Sequence, residues 1–472
     1  MLSKKKFLSD VLVAFSAQLF AMVVSSLMSL VVPKLISGVE NFGYWQLFLF
    51  YSNYVSLSQL GIVDGLYLRL GGKDYSEINK GQIKAEYIVF IFIQICCFAL
   101  MNIFLTLFSD PDRRFVVFSV SIYMVVYNCC RFLGYIFLAT GKTKVYSLMT
   151  ILDRATMLSG IVVIICTNLV DYKMFVLSLV VSMMMAMCFI AVRARQILTI
   201  KSETICAQIK QTLDDSKNGL SVTVAGLAGT FILGAGRLIS DTKWGIEAFG
   251  KFSFAISLIT FFLAFVNQVS IVFFPALKRM SDSQYRNNLF LRIRKLLSVF
   301  LMTAYIICIP AKEILSLWLP IYKESLDYFV ILVPFCIFDG KMQLLCNTYL
   351  KALGKVKFLM YINAFSMGIS VIGSFISAYV FDSIMGIIFV LIISIALRSV
   401  VSEIYLCTVM NVERADNYIS LECLLAVLFV VAQFILPQYI IFVIFLVIYI
   451  AICSKTVKGE LRFRKKDENE SL

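Results

Sequence analysis

The sequence predicts an all-α polytopic membrane protein with about 14 transmembrane helices. Two pseudo-symmetric six-helix lobes (1–193 and 217–410) flank a cytoplasmic linker at 194–216. A transmembrane hairpin at 411–454 and a cytoplasmic tail at 455–472 follow. Three observations carry this prediction. Hydrophobic residues fill 60% of the 472 positions and charged ones only 15%, outside the range of soluble domains. Apolar runs long enough to cross a bilayer recur along the whole chain. Short motifs also repeat at nearly equal offsets in the two halves.

The expected spans are 8–33, 42–70, 85–108, 114–140, 145–167, 173–193, 217–240, 247–274, 291–310, 325–350, 357–380, 384–409, 418–434 and 438–454. The first begins like a secretory signal, with Lys4, Lys5 and Lys6 before an apolar run. The run continues to Val32, too long for a signal core, and no small-residue cleavage site follows, so it is read as a retained span. The second span, entered at Phe42-Gly43-Tyr44-Trp45 and left through Asp64, Arg69 and Gly71-Gly72, is read as one continuous helix. On such a helix Gln46, Asn53 and Asp64 fall within about 20° of one another, a stripe that must face protein or a water-filled path.

External connections are expected to be short, the longest being 311–324 around Trp318 and Pro320. The segment 194–216 is polar enough for a cytosolic linker with some helical character, and 281–294 reads as a second basic cytoplasmic loop. The repeat is carried by Phe42-Gly43 against Phe249-Gly250, and by Leu138–Lys144 (LATGKTK) against Lys351–Lys357 (KALGKVK). Six helices is an even number, so the halves share one orientation, a transporter arrangement with the pathway between them. The hairpin 418–454 has no counterpart in the first half, and the tail KTVKGELRFRKKDENESL is read as solvated or headgroup-bound.

The formal charge of +14 is explained by topology. With the N-terminus inside, most Lys and Arg fall on cytoplasmic segments, which places both termini in the cytoplasm and argues against a nucleic-acid surface. Trp45, Trp244 and Trp318 are expected at the outer interface. The 13 cysteines fall mostly in apolar spans without a CxxC pair and read as small hydrophobes. No histidine is present, which removes a His proton relay and most zinc or haem chemistry. Gly141-Lys142-Thr143 imitates the end of a P-loop, but Ile136 stands where its first Gly belongs. No ATPase, cofactor or enzyme is expected.

Charges inside apolar spans are the candidate functional groups, since each costs roughly 2.5–3.5 kcal/mol to insert. The basic ones are Arg131, Arg154, Arg237, Lys251, Lys341 and Arg398, and the acidic ones Asp64, Asp153, Asp339 and Glu403. One reading is a cationic cavity for an anionic headgroup. A phosphate oxygen about 4 Å from a guanidinium gains roughly 4 kcal/mol at an effective dielectric of 20. The other is pairing between helices, or snorkelling for Arg237 and Lys251. Arg131 leads the candidates because Tyr127, Asn128 and Tyr135 stand at i−4, i−3 and i+4. Arg398 has Ser394 and Ser402 one turn away on either side. Asp339, Gln343 and Asn347 form an i, i+4, i+8 stripe that either titrates, binds a cation or pairs with an Arg.

Phe42-Gly43-Tyr44-Trp45 and GIVDGLYLRLGGKDY (Gly61–Tyr75), with the six-plus-six duplication, the extra hairpin and the Gly-Lys helix stops, resemble bacterial polysaccharide flippases of the Wzx type. These belong to the multidrug/oligosaccharidyl-lipid/polysaccharide exporter superfamily. The resemblance implies a flippase in the bacterial inner membrane that moves a polyprenyl-diphosphate-linked oligosaccharide to the outer leaflet by alternating access. Its product would feed O-antigen, capsule or exopolysaccharide synthesis, with polymerase and chain-length proteins as partners. On this expectation Arg131, Asn128, Tyr135, Arg237, Lys251, Arg398 and Arg69 line the substrate path. Asp64, Asp339, Asp153 and Glu403 are then coupling or gating acids. The alternatives are an ion-coupled multidrug exporter of the same superfamily and a membrane glycan polymerase or ligase. Multidrug exporters tend to use an acid in helix one, and 11–32 holds none. Lipid II flippases carry charges there that are missing here, and a polymerase would need a large outer loop.

Overall fold

All described secondary structure is helical, and ten helices are long and apolar enough to cross a membrane. They are seen in a computed structural model that describes residues 4–105, 108–278, 280, 282–412 and 416–470. An eleventh span is counted if the bent pair Pro320–Ile331 and Val333–Ala352 crosses as one.

The helices are α1 (Lys4–Leu35), α2 (Val39–Ser52), α3 (Ile62–Leu70), α4 (Lys80–Phe104), α5 (Pro111–Ala139), α6 (Thr143–Thr167), α7 (Tyr172–Arg193) and the short α8 (Arg195–Thr199). Then come α9 (Ile205–Lys278), α10 (Ser283–Trp318), α11 (Lys323–Ile331), α12 (Val333–Lys341), α13 (Asn347–Ala352), α14 (Val356–Tyr379), α15 (Ile384–Met410), α16 (Asp416–Ile435) and α17 (Gln438–Glu470).

Local chemistry sets the helix ends. Asn79, Asp110, Asp171, Asp282 and Ser383 each accept a backbone N–H from the first turn that follows them. The two Gly-Lys echoes close α5 and α13 in the same way. Gly141 and Gly354 take φ +74° and +72°, and Lys142 N and Lys355 N each donate over 2.8 Å to the carbonyls of Phe137 and Leu350. This six-to-one closure is what a glycine just past the helix end allows.

Several expectations change. The continuous helix 42–70 is broken: α2 ends at Ser52, a short 3₁₀ turn covers Val55–Gln59, and Leu60 and Gly61 are left-handed before α3. Gln46, Asn53 and Asp64 therefore form no single stripe. Spans 217–240 and 247–274 run together as α9, interrupted only at Gly245 (φ 82°, ψ −174°), and α9 begins within the expected linker. The loop 281–294 is helical from Ser283, and the external segment 311–324 is helical to Trp318, while Ser281 lies outside the described residues. Helix 325–350 breaks at Leu332–Val333 and holds a π-turn over Met342–Cys346. The extra residue in that turn rotates Asn347 off the Asp339–Gln343 face. Trp45 is a core residue at 2% exposure, packed on Phe48 and Phe175, instead of an interfacial anchor. These breaks explain why fewer uninterrupted spans appear than fourteen. The helix after Gln438 also continues to Glu470, through the expected tail.

The chain divides into two compact units, Met1–Thr230 with Trp244–Gly250, and Phe231–Lys243 with Lys251–Leu472. In the first, α5 is the central helix, packed by α2, α3, α4, α6 and α7. The two Phe-Gly echoes meet inside this unit. A Cβ on Gly43 would lie 2.5 Å from the Ile246 carbonyl oxygen, and one on Gly250 would lie 3.0 Å from the Gly43 Cα. Phe50 and Phe249 seal the crossing edge to face at 5.7 Å. In the second unit α12 and α15 pack together, α10 packs on α12 and α17, and α14 packs on α15. Tyr305, Phe429 and Phe445 form an aromatic trio among α10, α16 and α17.

Candidate functional site

In the first unit α5 presents Arg131 nearly three turns before its Gly141 stop. Its guanidinium donates to the Tyr146 phenol oxygen at 3.0 Å and to that of Tyr135, and it lies 4.5 Å from the Tyr135 ring centroid and 5.5 Å from that of Tyr127. Tyr67 on α3 packs tilted against Tyr135 at 5.4 Å, and Tyr146 does so from α6 at 6.0 Å. No carboxylate lies in ion-pair contact with Arg131 among the described residues, and its Nε has no acceptor. Asp64 lies one turn before Tyr67 on α3. Because the two phenol oxygens accept from the guanidinium, their own protons point away from it. The site thus gathers a cation and phenol O–H donors, a set suited to an oxyanion or a sugar.

Asn128, one turn earlier, is committed elsewhere. Its Oδ1 accepts from Gln59 at 2.7 Å, and its Nδ2 donates to Gln94 at 2.8 Å, Ser58 at 2.7 Å and the Val55 carbonyl at 3.1 Å. It ties the 3₁₀ turn and α4 to α5, a structural role in place of the expected substrate contact. Asp153 is likewise held, by Ser182 at 2.9 Å and Arg154 at 3.4 Å.

Arg69 is the focus of a charge cluster that joins α3, α4 and α9. Its Nε and Nη2 grip Asp215 at 3.0 and 2.8 Å, and Nη2 also reaches Glu86 at 2.6 Å. Thr223 donates to Asp64 at 2.6 Å, and Ser216 to the Leu60 carbonyl at 2.6 Å. The helices can approach this closely because glycines line the crossing. A Cβ on Gly65 would sit 1.9 Å from the Asp215 carbonyl oxygen, and one on Gly219 2.0 Å from that of Gly61. Outside the spans, Lys142 lies 3.8 Å over the Tyr75 ring, and burial pushes that phenol above its ordinary value.

The second unit holds the remaining candidates, Glu403, Arg398, Asp339, Lys251 and Arg237. Glu403 on α15 pairs with Arg294 of α10 and, at 2.7 Å, with Lys341 of α12; Lys341 also pairs with Glu422 of α16. All four side chains are at most 3% exposed. Beside them Arg398 pairs loosely with Asp339 at 3.7 Å, and Gln343 donates to Asp339 at 2.6 Å. Lys251 pairs with Glu324 at 2.7 Å, and Arg237 is half-buried on α9. Arg69, Lys251 and Arg398, expected as substrate cations, therefore have carboxylate partners, and Glu403 is a structural counter-ion.

Sequence reasoning missed Glu86, Tyr146, Asp215, Arg294 and Glu422. Arg294 was legible in principle, since Phe290, Arg294 and Leu297 share one helical face that extends the span N-terminally. Glu422 was also legible, as an acid one turn inside an apolar helix.

No protein-family model matches the sequence, and no curated protein does. Solved structures do match. The inward-closed lipid II flippase MurJ aligns over 96% of this chain and 100% of its own, with a TM-score of 0.65 at 11% identity. The chain has the MOP-superfamily transporter fold. An outward-facing multidrug MATE transporter of that superfamily aligns over 85% of this chain and 95% of its own, with a TM-score of 0.59 at 11% identity. A MATE transporter of Vibrio cholerae aligns over 88% and 99%, with a TM-score of 0.58 at 13% identity. These neighbours share the MOP fold with this chain and differ from one another in what they carry.

Proposed function

We propose that this protein is a flippase for a lipid-linked, phosphate-bearing glycan, moving it to the outer leaflet for surface polysaccharide synthesis, and that Arg131 with Tyr127, Tyr135 and Tyr146 reads the headgroup. The observation that carries this is Arg131 itself, a cation inside an apolar bundle whose close partners among the described residues are phenols and no carboxylate. A guanidinium in that position is stabilised by an arriving anion, and the phenol O–H groups suit phosphate or sugar oxygens. The MOP fold is consistent with carriage of such an amphiphile, since a lipid II flippase has it.

Arg131→Gln abolishes surface polysaccharide and headgroup transfer in proteoliposomes while protein abundance stays at the parent level. Arg131→Lys, which keeps the charge but not the planar fork, retains part of the activity. Equal loss of protein from the membrane in both variants would assign Arg131 to folding and refute the reading.

The second reading, ion-coupled export of cationic drugs, is favoured by the MATE neighbours. It fits the site less well, because Arg131 repels a cation and Asp64 already accepts from Thr223. Drug resistance conferred on an exporter-deficient strain would establish it over the first.

A further inference from the structure

We propose that Tyr67 and Asp64 of α3 form a sugar subsite beside Arg131, which receives the first, uncharged sugar ring of a glycan whose phosphate rests on the guanidinium. The inference deepens the headgroup reading above and rests on it. Tyr135 joins the two places. Its ring lies 4.5 Å from the Arg131 guanidinium and 5.4 Å from the Tyr67 ring, so a single aromatic ring separates the cation from Tyr67. A phosphate and the sugar joined to it need two such neighbouring places.

Tyr67 lies on the open face of its helix. It is 38% exposed, while Ile62, Leu66 and Leu70 on the opposite side of α3 are buried. That open face is centred on a carboxylate. Tyr67 and Leu68, both exposed, flank Asp64 at i+3 and i+4, and Asp64 is itself half-exposed. Lipid rejects a carboxylate, so the face borders water, and the Tyr67 ring borders it too.

Two groups on this face are left over for a ligand. Thr223 donates to Asp64 Oδ2 at 2.6 Å and leaves Oδ1 without a donor among the described residues. The Tyr67 hydroxyl bonds to none of those residues either. An open aromatic ring packs against the C–H face of a pyranose, and a carboxylate oxygen accepts from the hydroxyls at its rim. Asp64 also sets the charge class, since it repels a second phosphate or a uronic acid and favours a hydroxyl-bearing neutral ring. The pair is held from behind. Arg69 grips Asp215 and Glu86, and Gly65 brings the α3 backbone against that of Asp215. Residues fixed before a ligand arrives lower the cost of binding it.

Calorimetry on the full-length purified protein tests the subsite, with methyl diphosphate and the glucosyl, galactosyl and N-acetylglucosaminyl diphosphates as probes of matched charge. Methyl diphosphate reports the Arg131 place alone. At least one glycosyl diphosphate binds the parent about tenfold tighter, the size of one ring contact and one charged hydrogen bond after the sugar is ordered. Tyr67→Ala and Asp64→Asn each cut that preference at least about threefold, and Tyr67→Phe keeps most of it. Asparagine retains an oxygen for Thr223, so the contact of α3 with α9 survives. Methyl diphosphate still binds these variants, which shows that the Arg131 place is folded in them. A parent that prefers no glycosyl diphosphate over methyl diphosphate overturns the subsite and spares the headgroup reading. So does a preference that survives Tyr67→Ala, or a Tyr67→Ala variant that loses both kinds of probe equally, since Tyr67 would then only prop Tyr135. Methyl diphosphate that fails to bind the parent, or binds Arg131→Gln equally, overturns the headgroup reading and the subsite with it.

Discussion

Replacing Glu422 with Gln is the sharpest probe of the second unit. In the native cluster Arg294 and Lys341 balance Glu403 and Glu422, and all four are buried among α10, α12, α15 and α16. Glutamine still accepts the Ser298 hydroxyl that Glu422 accepts now, so the substitution removes charge and little else. Lys341 keeps Glu403 at 2.7 Å, but that carboxylate already serves Arg294, and the cluster is left with one uncompensated positive charge. Breaking a buried pair this way costs about 3–5 kcal/mol, and the remaining partner of Lys341 argues for the lower end, about 3 kcal/mol. At about 2–4 °C per kcal/mol for a unit of this size, Tm falls by about 6–12 °C. Cys308, Cys336 and Cys346 are buried in the same unit, so a thiol-reactive dye reads its unfolding on heating. The double variant Lys341→Met with Glu422→Gln leaves Arg294 and Glu403 as a neutral pair and recovers most of the lost stability. A Glu422→Gln loss under about 1 kcal/mol, or a double variant as unstable as the two single changes added, would show that charge balance is not what fixes α16 to the unit.

Two further substitutions test the first unit and the break in α9. Asn128→Ala leaves Gln59 and Gln94 short of a partner in a buried hub and lowers stability by about 2–4 kcal/mol, with reduced membrane abundance, in contrast to Arg131→Gln. Thermal scans and immunoblots of the two variants side by side check this. Gly245→Ala meets no neighbouring atom within 4 Å but must adopt φ 82° and ψ −174°, so it lowers stability by about 1–3 kcal/mol through backbone strain alone. A neutral result in the same thermal scan would mean that the break at Gly245 relaxes freely.

The sequence by itself determined that the chain is a helical membrane protein, because hydropathy and helix length are local quantities fixed by the bilayer. It also located the Gly-Lys stops at Gly141 and Gly354 and the Phe-Gly echoes, since a left-handed glycine and a small-residue crossing need only a few neighbouring residues. It singled out Arg131 and Tyr135, which share a face at i, i+4 on one helix. It gave no access to Tyr146 or Asp215, each supplied by a different helix. Whether an intramembrane charge waits for a ligand or is already neutralised depends on groups far away in the chain. Arg69 and Arg131 look alike in sequence, both being single cations in apolar helices. Only the tertiary structure gives one of them two carboxylates and the other three phenols, because pairing in a low-dielectric interior is decided by which helices touch.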